Sequence, residues 1–438
     1  MKKFGSILLA TTLALTLTAC SSSNSASSNN EAASSGSSTN STAKKPVEIT
    51  YWYSWGDKIA ENNENLVKMF NESQDEVIVK AEYQGSYADQ HSKAQAAFAA
   101  GNAPEVWQNE IASVGVFAES GMTQDLTPFV EKDQVDMKDF IPGLMGNSYV
   151  NGKLYALPYL RSTPILYLNR TMLKEAGLDP AGPKNWAEFE DYARKLTIKD
   201  QRYGISMPID IWFYEGFVRQ SGGTMISEDG KSAAFNNETG IEPVKLWLKM
   251  KEEGIMNIGT TDDAGSQAKT DFHNQRAAMI FSSTADLTNN MKVAEEQGFE
   301  LGTTFMPANH TYGVPTGGAN LVMTSGLSPE KQEAAWKFIK WMTDKEQTIY
   351  ASSFTGYLPS RISAVESDEM KKLYEEKPLF KVAVDQLEYA GPRPMQKVYP
   401  EIAEIIKDEI LRAVVDPSIS AEAAVAEAAK KADALLNK

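Results

Sequence analysis

Cysteine is almost absent from this sequence, with Cys20 the single one among 438 residues. The chain therefore cannot form an intrachain disulfide, and its stability has to come from a hydrophobic core. The three histidines, His91, His273 and His310, are scattered along the chain and make none of the His, Cys and acidic clusters that metal sites require. We expect neither a metal ion nor a cofactor.

Positive charge is also scarce. The sequence has 43 Lys and Arg against 58 Asp and Glu, a net charge of −15, which becomes −17 if Lys2 and Lys3 are removed (−15 − 2). This balance argues against nucleic acid as a partner, because such binding needs clustered basic residues. Gly-x-Ser-x-Gly, Walker A and His-Glu-x-x-His motifs are missing as well. The sequence therefore predicts a protein that is not an enzyme, although paired carboxylates for glycoside hydrolysis stay open.

The N-terminal segment has the features of an export signal. A short basic start at residues 1–3 precedes an apolar stretch at 7–17, which is too short to span a bilayer permanently. Leu17-Thr18-Ala19-Cys20 matches the lipobox of bacterial lipoproteins, in which the cysteine carries the lipid. We predict a lipoprotein signal at 1–20 with lipidation at Cys20; an ordinary secretory signal is the alternative.

Residues 21–45 are nearly all Ser, Asn, Ala, Thr and Gly. Such a segment cannot bury enough apolar area to offset the entropy of ordering, so it is predicted to be a disordered tether. A flexible coil of this length reaches roughly 25–30 Å. We expect a protein lipid-anchored on the extracellular face of the membrane of a Gram-positive-type cell.

The remaining part of the chain has the composition of a globular protein. The hydrophobic fraction of the sequence is 42%, and no second apolar run approaches 18 residues. Roughly 390 residues exceed one compact core and fit two domains. Strands alternate with helices, which predicts an α/β protein with parallel sheets. Strands are predicted at 47–52, 76–83, 104–108, 164–168, 277–282 and 321–324, and helices at 58–72, 87–100, 171–176, 185–197, 237–253, 329–343, 344–353, 398–415 and 420–437.

Five short motifs follow one another in an order that resembles a known family, the extracellular solute-binding proteins of carbohydrate-type ABC importers (family 1). They are YWYSW at 51–55, AFAAGNAPEV at 97–106, NGKLYALP at 151–158, FHNQRAAM at 272–279 and TGYLP at 355–359. The resemblance implies a two-lobed periplasmic-binding-protein fold with a ligand cleft between the lobes. It implies a small polar solute and an ABC permease as partners, and a monomer.

The same resemblance suggests where the lobes and crossovers lie. The first lobe is expected to contain residues 46–157 and 308–358, and the second 160–305 and 362–438. The chain would then cross between lobes near 158, 306 and 360. Hinge closure around the solute would present the permease with a recognisable shape.

Within the family, the resemblance is strongest to members that bind sn-glycerol-3-phosphate. It implies a ligand site for that compound or a glycerophosphodiester, with a neutral mono- or oligosaccharide as the alternative and a membrane-anchored glycoside hydrolase as a distant one. Arg393 would bind phosphate through its planar fork, Gly318 would let a backbone N–H approach, and Glu110 would accept from two hydroxyls. The implied ligand-binding residues are Tyr87, Glu110, Ser162, Trp212, Ser283, Gly318, Tyr357 and Arg393, with Trp55 added as an aromatic at the edge of the first domain.

Several of these residues also have simpler interpretations. By position alone, Trp55 belongs to an aromatic run suited to a core, and Arg393 lies on a stiff loop between prolines where a surface charge is typical. Trp212 begins three successive aromatics that cannot all face one way, so at least one should face solvent or a ligand. Arg161, beside Ser162, is an additional cation that would either strengthen anion binding or lie on the surface.

Overall fold

The computed structural model describes residues 45–261 and 263–438. The predicted signal at 1–20, the lipidation site Cys20 and the predicted tether except Lys45 lie outside the described residues, as does Asp262. In the described part, none of the helices is both long and apolar enough to cross a bilayer.

Strands and helices alternate along most of the chain. The strands are β1 (Val47–Tyr53), β2 (Val77–Tyr83), β3 (Val106–Glu110), β4 (Tyr149–Val150), β5 (Lys153–Leu154), β6 (Leu157–Ser162), β7 (Pro164–Asn169), β8 (Tyr203–Pro208), β9 (Met256–Gly259), β10 (Ala277–Ser283), β11 (Leu301–Thr304), β12 (Val314–Pro315), β13 (Gly317–Met323) and β14 (Ala390–Gly391).

The helices are α1 (Asp57–Ser73), α2 (Tyr87–Ala99), α3 (Val114–Glu119), α4 (Thr127–Lys132), α5 (Pro142–Met145), α6 (Arg170–Glu175), α7 (Trp186–Leu196), α8 (Ile211–Gln220), α9 (Glu238–Glu252), α10 (Ala264–His273), α11 (Leu287–Gln297), α12 (Pro329–Met342), α13 (Lys345–Thr355), α14 (Ile362–Val365), α15 (Asp368–Glu376), α16 (Leu379–Gln386), α17 (Tyr399–Val415) and α18 (Ala421–Leu436). Several begin at the residue types that cap helices, as Ser86 does for α2, where Asp89 completes a capping box.

Two five-stranded sheets form the frame of a two-lobed α/β protein. The first has the order β2-β1-β3-β13-β6 and the second the order β11-β7-β10-β8-β9. In the first sheet, β1 pairs in parallel with β2 and β3, while β13 is antiparallel to β3 and β6. In the second sheet, β8 pairs in parallel with β9 and β10, while β7 is antiparallel to β10 and β11. The two-lobed α/β prediction is confirmed.

Separate apolar cores support the two sheets. One core packs Tyr51, Phe70 and Phe338 beneath the first sheet, and another packs Phe217, Trp247 and further side chains beneath the second. Burial of such side chains contributes about 1.5–3 kcal/mol each relative to exposure. Each sheet is thus stabilised by a hydrophobic core of its own.

The chain passes from the first sheet to the second within one residue. β6 ends at Ser162 and β7 begins at Pro164, so only Thr163 separates them. Gln386 links this crossing to the segment that follows β11. Its Nε2 donates to Pro164 O at 2.8 Å, and its Oε1 accepts from Met306 N at 2.8 Å. The predicted lobe boundaries themselves stay a prediction.

The structure corrects two sequence-based expectations. The prediction of parallel sheets was wrong, because both sheets are mixed. β13 and β7 are antiparallel to their neighbours, since the chain reaches each of them by crossing from the other sheet and not through a strand–helix–strand unit. The predicted bounds of two strands were also wrong. The strands predicted at 104–108 and 321–324 lie at Val106–Glu110 and Gly317–Met323. Residues 203–220, 256–273 and 287–304 also form strands and helices that the apolar pattern did not reveal.

Candidate functional site

A cavity of about 410 Å³ opens where the edges of the two sheets face each other. It brings together residues that are far apart in sequence. All nine side chains or backbones predicted as ligand-binding line it, namely Trp55, Tyr87, Glu110, Ser162, Trp212, Ser283, Gly318, Tyr357 and Arg393. Their roles in binding stay predictions, but their convergence in one cavity is a property of the structure.

The first sheet arranges part of the site in a fixed order along its edge. Glu110, the last residue of β3, is paired with Ala319 of β13. Two residues earlier in β13, Gly317 is paired with Ser162, the last residue of β6. On the other side of β6, Leu358 N donates to Arg161 O at 2.7 Å, which places Tyr357 beside Ser162. The order across the sheet is therefore Glu110, the β13 glycines, Ser162 and Tyr357.

Gly318 is required by its own backbone as well as by the cavity. Its φ is +86°, in the left-handed region that side chains other than glycine rarely adopt. A Cβ at this position would lie 1.9 Å from Leu160 O. The register between β13 and β6 shifts between Gly318 and Asn320, so the glycine lies at an irregularity that bends the strand.

The second sheet supplies Ser283 and Trp212. Ser283 ends β10 and is paired with Pro164, directly after the crossing that follows Ser162. Trp212 lies in the first turn of α8, where Asp210 accepts from its backbone N at 2.7 Å. The indole Nε1 of Trp212 donates to Thr316 O at 3.0 Å, which holds the ring against β13. The single N–H of the indole is thus already hydrogen-bonded, and the apolar surface of the ring is available to a ligand in the cavity.

Arg393 is held by two carboxylates. Its Nε and Nη2 donate to the two carboxylate oxygens of Glu215 at 2.9 and 3.0 Å, and its Nη1 donates to Glu110 Oε1 at 2.7 Å. Tyr399 Oη also donates to Glu215, at 2.6 Å. Burial by itself would lower the pKa of Arg393, but Glu215 and Glu110 raise that pKa above its ordinary value. Arg393 therefore reaches the cavity as a fixed cation with only part of its donor set free.

Two tyrosines and a tryptophan form an aromatic part of the site. Trp55 contacts Tyr87 edge-on, with ring centroids 5.2 Å apart, and Tyr87 is the first residue of α2. Burial raises the pKa of Tyr87 and of Tyr357. Both hydroxyls therefore stay protonated at neutral pH and can donate hydrogen bonds to a ligand.

Arg161 is a buried structural residue outside the cavity lining. Its guanidinium donates to Gly317 O, Leu144 O, Asn320 Oδ1 and Thr316 Oγ1 at 2.6–3.0 Å. The side chain is completely buried, and burial lowers its pKa. The surface alternative was wrong, because the side chain is buried and holds the start of β13; that its charge strengthens anion binding stays a prediction.

The chain's similarity to known proteins agrees with this architecture. The family described as bacterial extracellular solute-binding protein matches residues 65–381, which is more than half of the chain. The chain belongs to this family. As an extracellular solute-binding protein it serves an ABC importer and is not an enzyme, as the sequence predicted.

Two curated relatives of this solute-binding protein are glycerol phosphate binders by name. The sn-glycerol-3-phosphate-binding periplasmic protein UgpB of Escherichia coli strain K12 is 27% identical over 391 residues, 84% of this chain and 88% of the relative. The protein of the same name from Salmonella typhimurium strain LT2 is 27% identical over 385 residues, 83% and 86% of the two chains.

Solved structures show the same fold with different ligands. UgpB of Mycobacterium tuberculosis in complex with glycerophosphocholine has a TM-score of 0.79 and 24% identity, covering 89% of this chain and 98% of that one. The GacH receptor of Streptomyces glaucescens, studied unliganded and with acarbose, has a TM-score of 0.80 and 21% identity, covering 90% and 99%. At these identities the similarity establishes the fold alone.

Sequence reasoning missed five charged residues that line this solute-binding protein's cavity, and also Glu215, which holds Arg393 without lining the cavity itself. Glu215, the main partner of Arg393, follows Trp212 by three residues on α8, a spacing that places both on one face of a helix. The other missed charges are Asp57, Lys58, Asp210, Lys269 and Asp286. Helical spacing from Trp212 was the one signal that pointed to Glu215.

Proposed function

We propose that this protein captures sn-glycerol-3-phosphate or a glycerophosphodiester and delivers it to the permease of an ABC importer. The nine predicted residues would form the ligand site. The observation that carries the proposal is the order of groups along the first sheet, with a carboxylate–arginine pair at one end and hydroxyl donors at the other. Neighbouring strands are about 4.8 Å apart, so three strand spacings separate the two ends by roughly 14 Å before the side chains project inward.

The Glu110–Arg393 pair suits the glycerol end. A vicinal diol needs acceptors for its protons and donors for its oxygens, and this pair supplies both side by side. The same pair is poorly suited to phosphate, because Glu110 and Glu215 surround the guanidinium with negative charge. We therefore move the phosphate away from Arg393, where the sequence had suggested it.

The phosphate end would be the group of neutral donors, Tyr87, Ser162, Ser283 and Tyr357. Hydroxyl donors bind an anion without a fixed positive charge, and burial strengthens each such bond. The N-terminus of α2 at Tyr87 adds the partial positive charge of a helix start. The carboxylate of Asp89, which accepts from Ser86 N and Oγ at 3.0 and 2.7 Å, compensates part of this charge, so the hydroxyl donors are the main contribution.

Around this site, residues 46–157 with 308–358 and residues 160–305 with 362–438 would act as the two closing lobes. Closure about the solute is what the permease would detect. The signal at 1–20, lipidated Cys20 and the tether at 21–45 would keep a monomeric protein on the outer face of the membrane of a Gram-positive-type cell, near its permease.

Isothermal titration calorimetry and thermal unfolding of the purified protein test the ligand. sn-Glycerol-3-phosphate and glycerophosphocholine are compared with glycerol, maltose and a longer oligosaccharide. Ligand at 100 times its dissociation constant stabilises the folded state by about 2.7 kcal/mol. The proposal expects that stabilisation from at least one phosphate compound and none from maltose, and the reverse result would refute it.

A neutral mono- or oligosaccharide is the second candidate, and the two tryptophans favour it. Trp55 and Trp212 present ring surface to the cavity, and aromatic faces pack well against the apolar faces of sugar rings. The sugar titrations above decide between the candidates. Trp212→Ala gives a further distinction, because it should weaken a stacked sugar far more than a small glycerol phosphate.

A further inference from the structure

A second chamber adjoins the proposed ligand site. It has a volume of about 750 Å³, larger than the 410 Å³ of the first cavity, and we call it the outer chamber. It extends along the second sheet to the start of α10 and to α17. Both cavities share six lining residues, Trp55, Asp210, Trp212, Lys269, Ser283 and Asp286. A ligand in the first cavity can therefore extend into the outer chamber without crossing a wall of protein.

The shared residues include one predicted phosphate contact. Ser283 belongs to the hydroxyl group assigned above to the phosphate, and it lines both cavities. Of these two cavities, Glu110 and Arg393 line the first, which we call the inner cavity, and not the outer chamber. With glycerol at the Glu110–Arg393 pair, the ester substituent on the far side of the phosphate would point past Ser283 into the outer chamber.

The outer chamber has an excess of negative charge. Among the described residues, its charged lining consists of Lys269 and Lys407 with four carboxylates, Asp210, Asp286, Glu404 and Asp408. Each lysine already has a partner among them: Lys269 Nζ lies 2.8 Å from Asp286, and Lys407 is paired with Glu404.

Lys407 also interacts with Asp210 and Asp408, which both raise its pKa, so this one positive charge is shared among three carboxylates and the chamber keeps a net negative charge. Burial raises the pKa of Asp210, and a cation bound beside it would lower that pKa again. A positively charged group is thus the complementary occupant, and a second anion would be repelled.

An aromatic surface lies at the entrance to the chamber. Trp55 is 40% exposed and has a φ of +71°, an uncommon backbone conformation for a tryptophan. Trp55 lines both cavities, so it lies where the two join. Tryptophan is the best of the aromatic side chains for binding an ammonium group over its face.

We propose that the outer chamber binds the second substituent of a phosphodiester solute and selects a substituent that carries a cationic nitrogen. The assignment rests on the proposed function of the inner cavity. Asp210, Asp408 and Trp55 are its selecting residues. Glycerophosphodiesters whose second substituent, the head group, carries an ammonium group would bind more tightly than those with a neutral head group. With a solute that has no head group, the chamber would contain only water.

Three probes test the assignment by calorimetry at low ionic strength: sn-glycerol-3-phosphate, glycerophosphocholine and glycerophosphoglycerol. The last has a neutral head, so comparison with glycerophosphocholine isolates the charge. We expect glycerophosphocholine to bind about 5- to 10-fold more tightly than glycerophosphoglycerol, as one or two partly screened ion contacts would give.

Two charge-neutralising variants identify the residues. Asp210→Asn keeps a side chain that caps α8 equally well, and Asp408→Asn alters an exposed residue of α17. Each should reduce the preference for the choline head about threefold. Glu401→Gln is the matched control, because it removes an exposed carboxylate from the same helix outside the chamber; it should leave the preference unchanged.

The outcomes separate this assignment from the proposed function. Equal affinity for the two diesters, or a preference that survives both aspartate substitutions, would overturn the assignment and leave the proposed function standing. Binding of none of the three phosphate probes would overturn both.

Discussion

Arg393 and Glu215 form a two-point ion pair inside the protein. The guanidinium Nε and Nη2 meet the two carboxylate oxygens at 2.9 and 3.0 Å, and the Glu215 side chain is only 2% exposed. Since Arg393 also bonds Glu110 of β3, this one side chain links α8 of the second lobe with the first sheet. Its position in the cavity is therefore set by the two carboxylates and not by a ligand.

Neutralising Glu215 should release Arg393. Glu215→Gln keeps the size of the side chain but leaves a buried guanidinium with less compensating charge, so we expect about 3 kcal/mol of destabilisation. Affinity for the solute should fall at least about tenfold as the arginine loses its fixed position. Urea unfolding and calorimetry measure the two effects. Glu333→Gln, which removes a 56% exposed partner of Lys132, should cost less than about 1 kcal/mol; equal losses would contradict the prediction.

Gly318 should tolerate no side chain. Gly318→Ala places a Cβ 1.9 Å from Leu160 O in addition to the unfavourable φ of +86°. Gly326 is the matched control, because its φ is +73° and a Cβ there meets nothing within 4 Å. The control should cost about 1–2 kcal/mol from the backbone conformation alone. Gly318→Ala should cost clearly more and should also weaken solute binding, as urea unfolding and calorimetry would show. Equal unfolding free energies for the two variants would argue against a steric role.

His91 should make the protein sensitive to acid. Burial lowers the pKa of His91 to about 4, below the 6.5 of an unperturbed histidine, with Glu110 and Asn109 opposing the shift. Between these two pKa values the unfolded chain binds the proton and the folded protein does not, so the free energy of unfolding falls as the pH drops from about 6.5 to 4. His91→Phe, among Tyr87, Trp107 and Phe117, should remove this contribution. The test is the pH dependence of urea unfolding, where an unchanged slope in the variant would refute the prediction.

Arg161 should not be replaceable by lysine. A single ammonium group cannot reach the four acceptors that the guanidinium bonds, and at least two buried acceptors would lose their partner. At about 1–3 kcal/mol for each such loss, Arg161→Lys should destabilise the protein by roughly 2–4 kcal/mol in urea unfolding. Arg194→Lys changes a 47% exposed arginine and should have an effect below about 1 kcal/mol. A lysine variant as stable as this control would show that the bonds are dispensable.

Local patterns predicted most of the regular structure near the cavity. The strand at 47–52 and the helices at 58–72 and 185–197 were each found within one residue of their observed ends, because alternation and helical spacing depend on close neighbours in sequence. α8 escaped prediction because Phe213 and Tyr214 are buried beside Trp212, so apolar residues surround the helix and no polar face marks its period.

The sequence by itself determined that this is a two-lobed α/β solute-binding protein and which nine residues line its cavity. Both could be predicted because the family motifs are short and follow one another in a fixed order, which can be recognised without knowing any tertiary contact. Only the tertiary structure decided the partners of the charges. Arg393 finds Glu215 and Glu110 at separations of 178 and 283 residues, and Arg161 meets only neutral acceptors. Such pairings are created when the chain crosses between its sheets, which no local pattern records, and they are the reason why we propose the hydroxyl end of the cavity, and not Arg393, as the phosphate site.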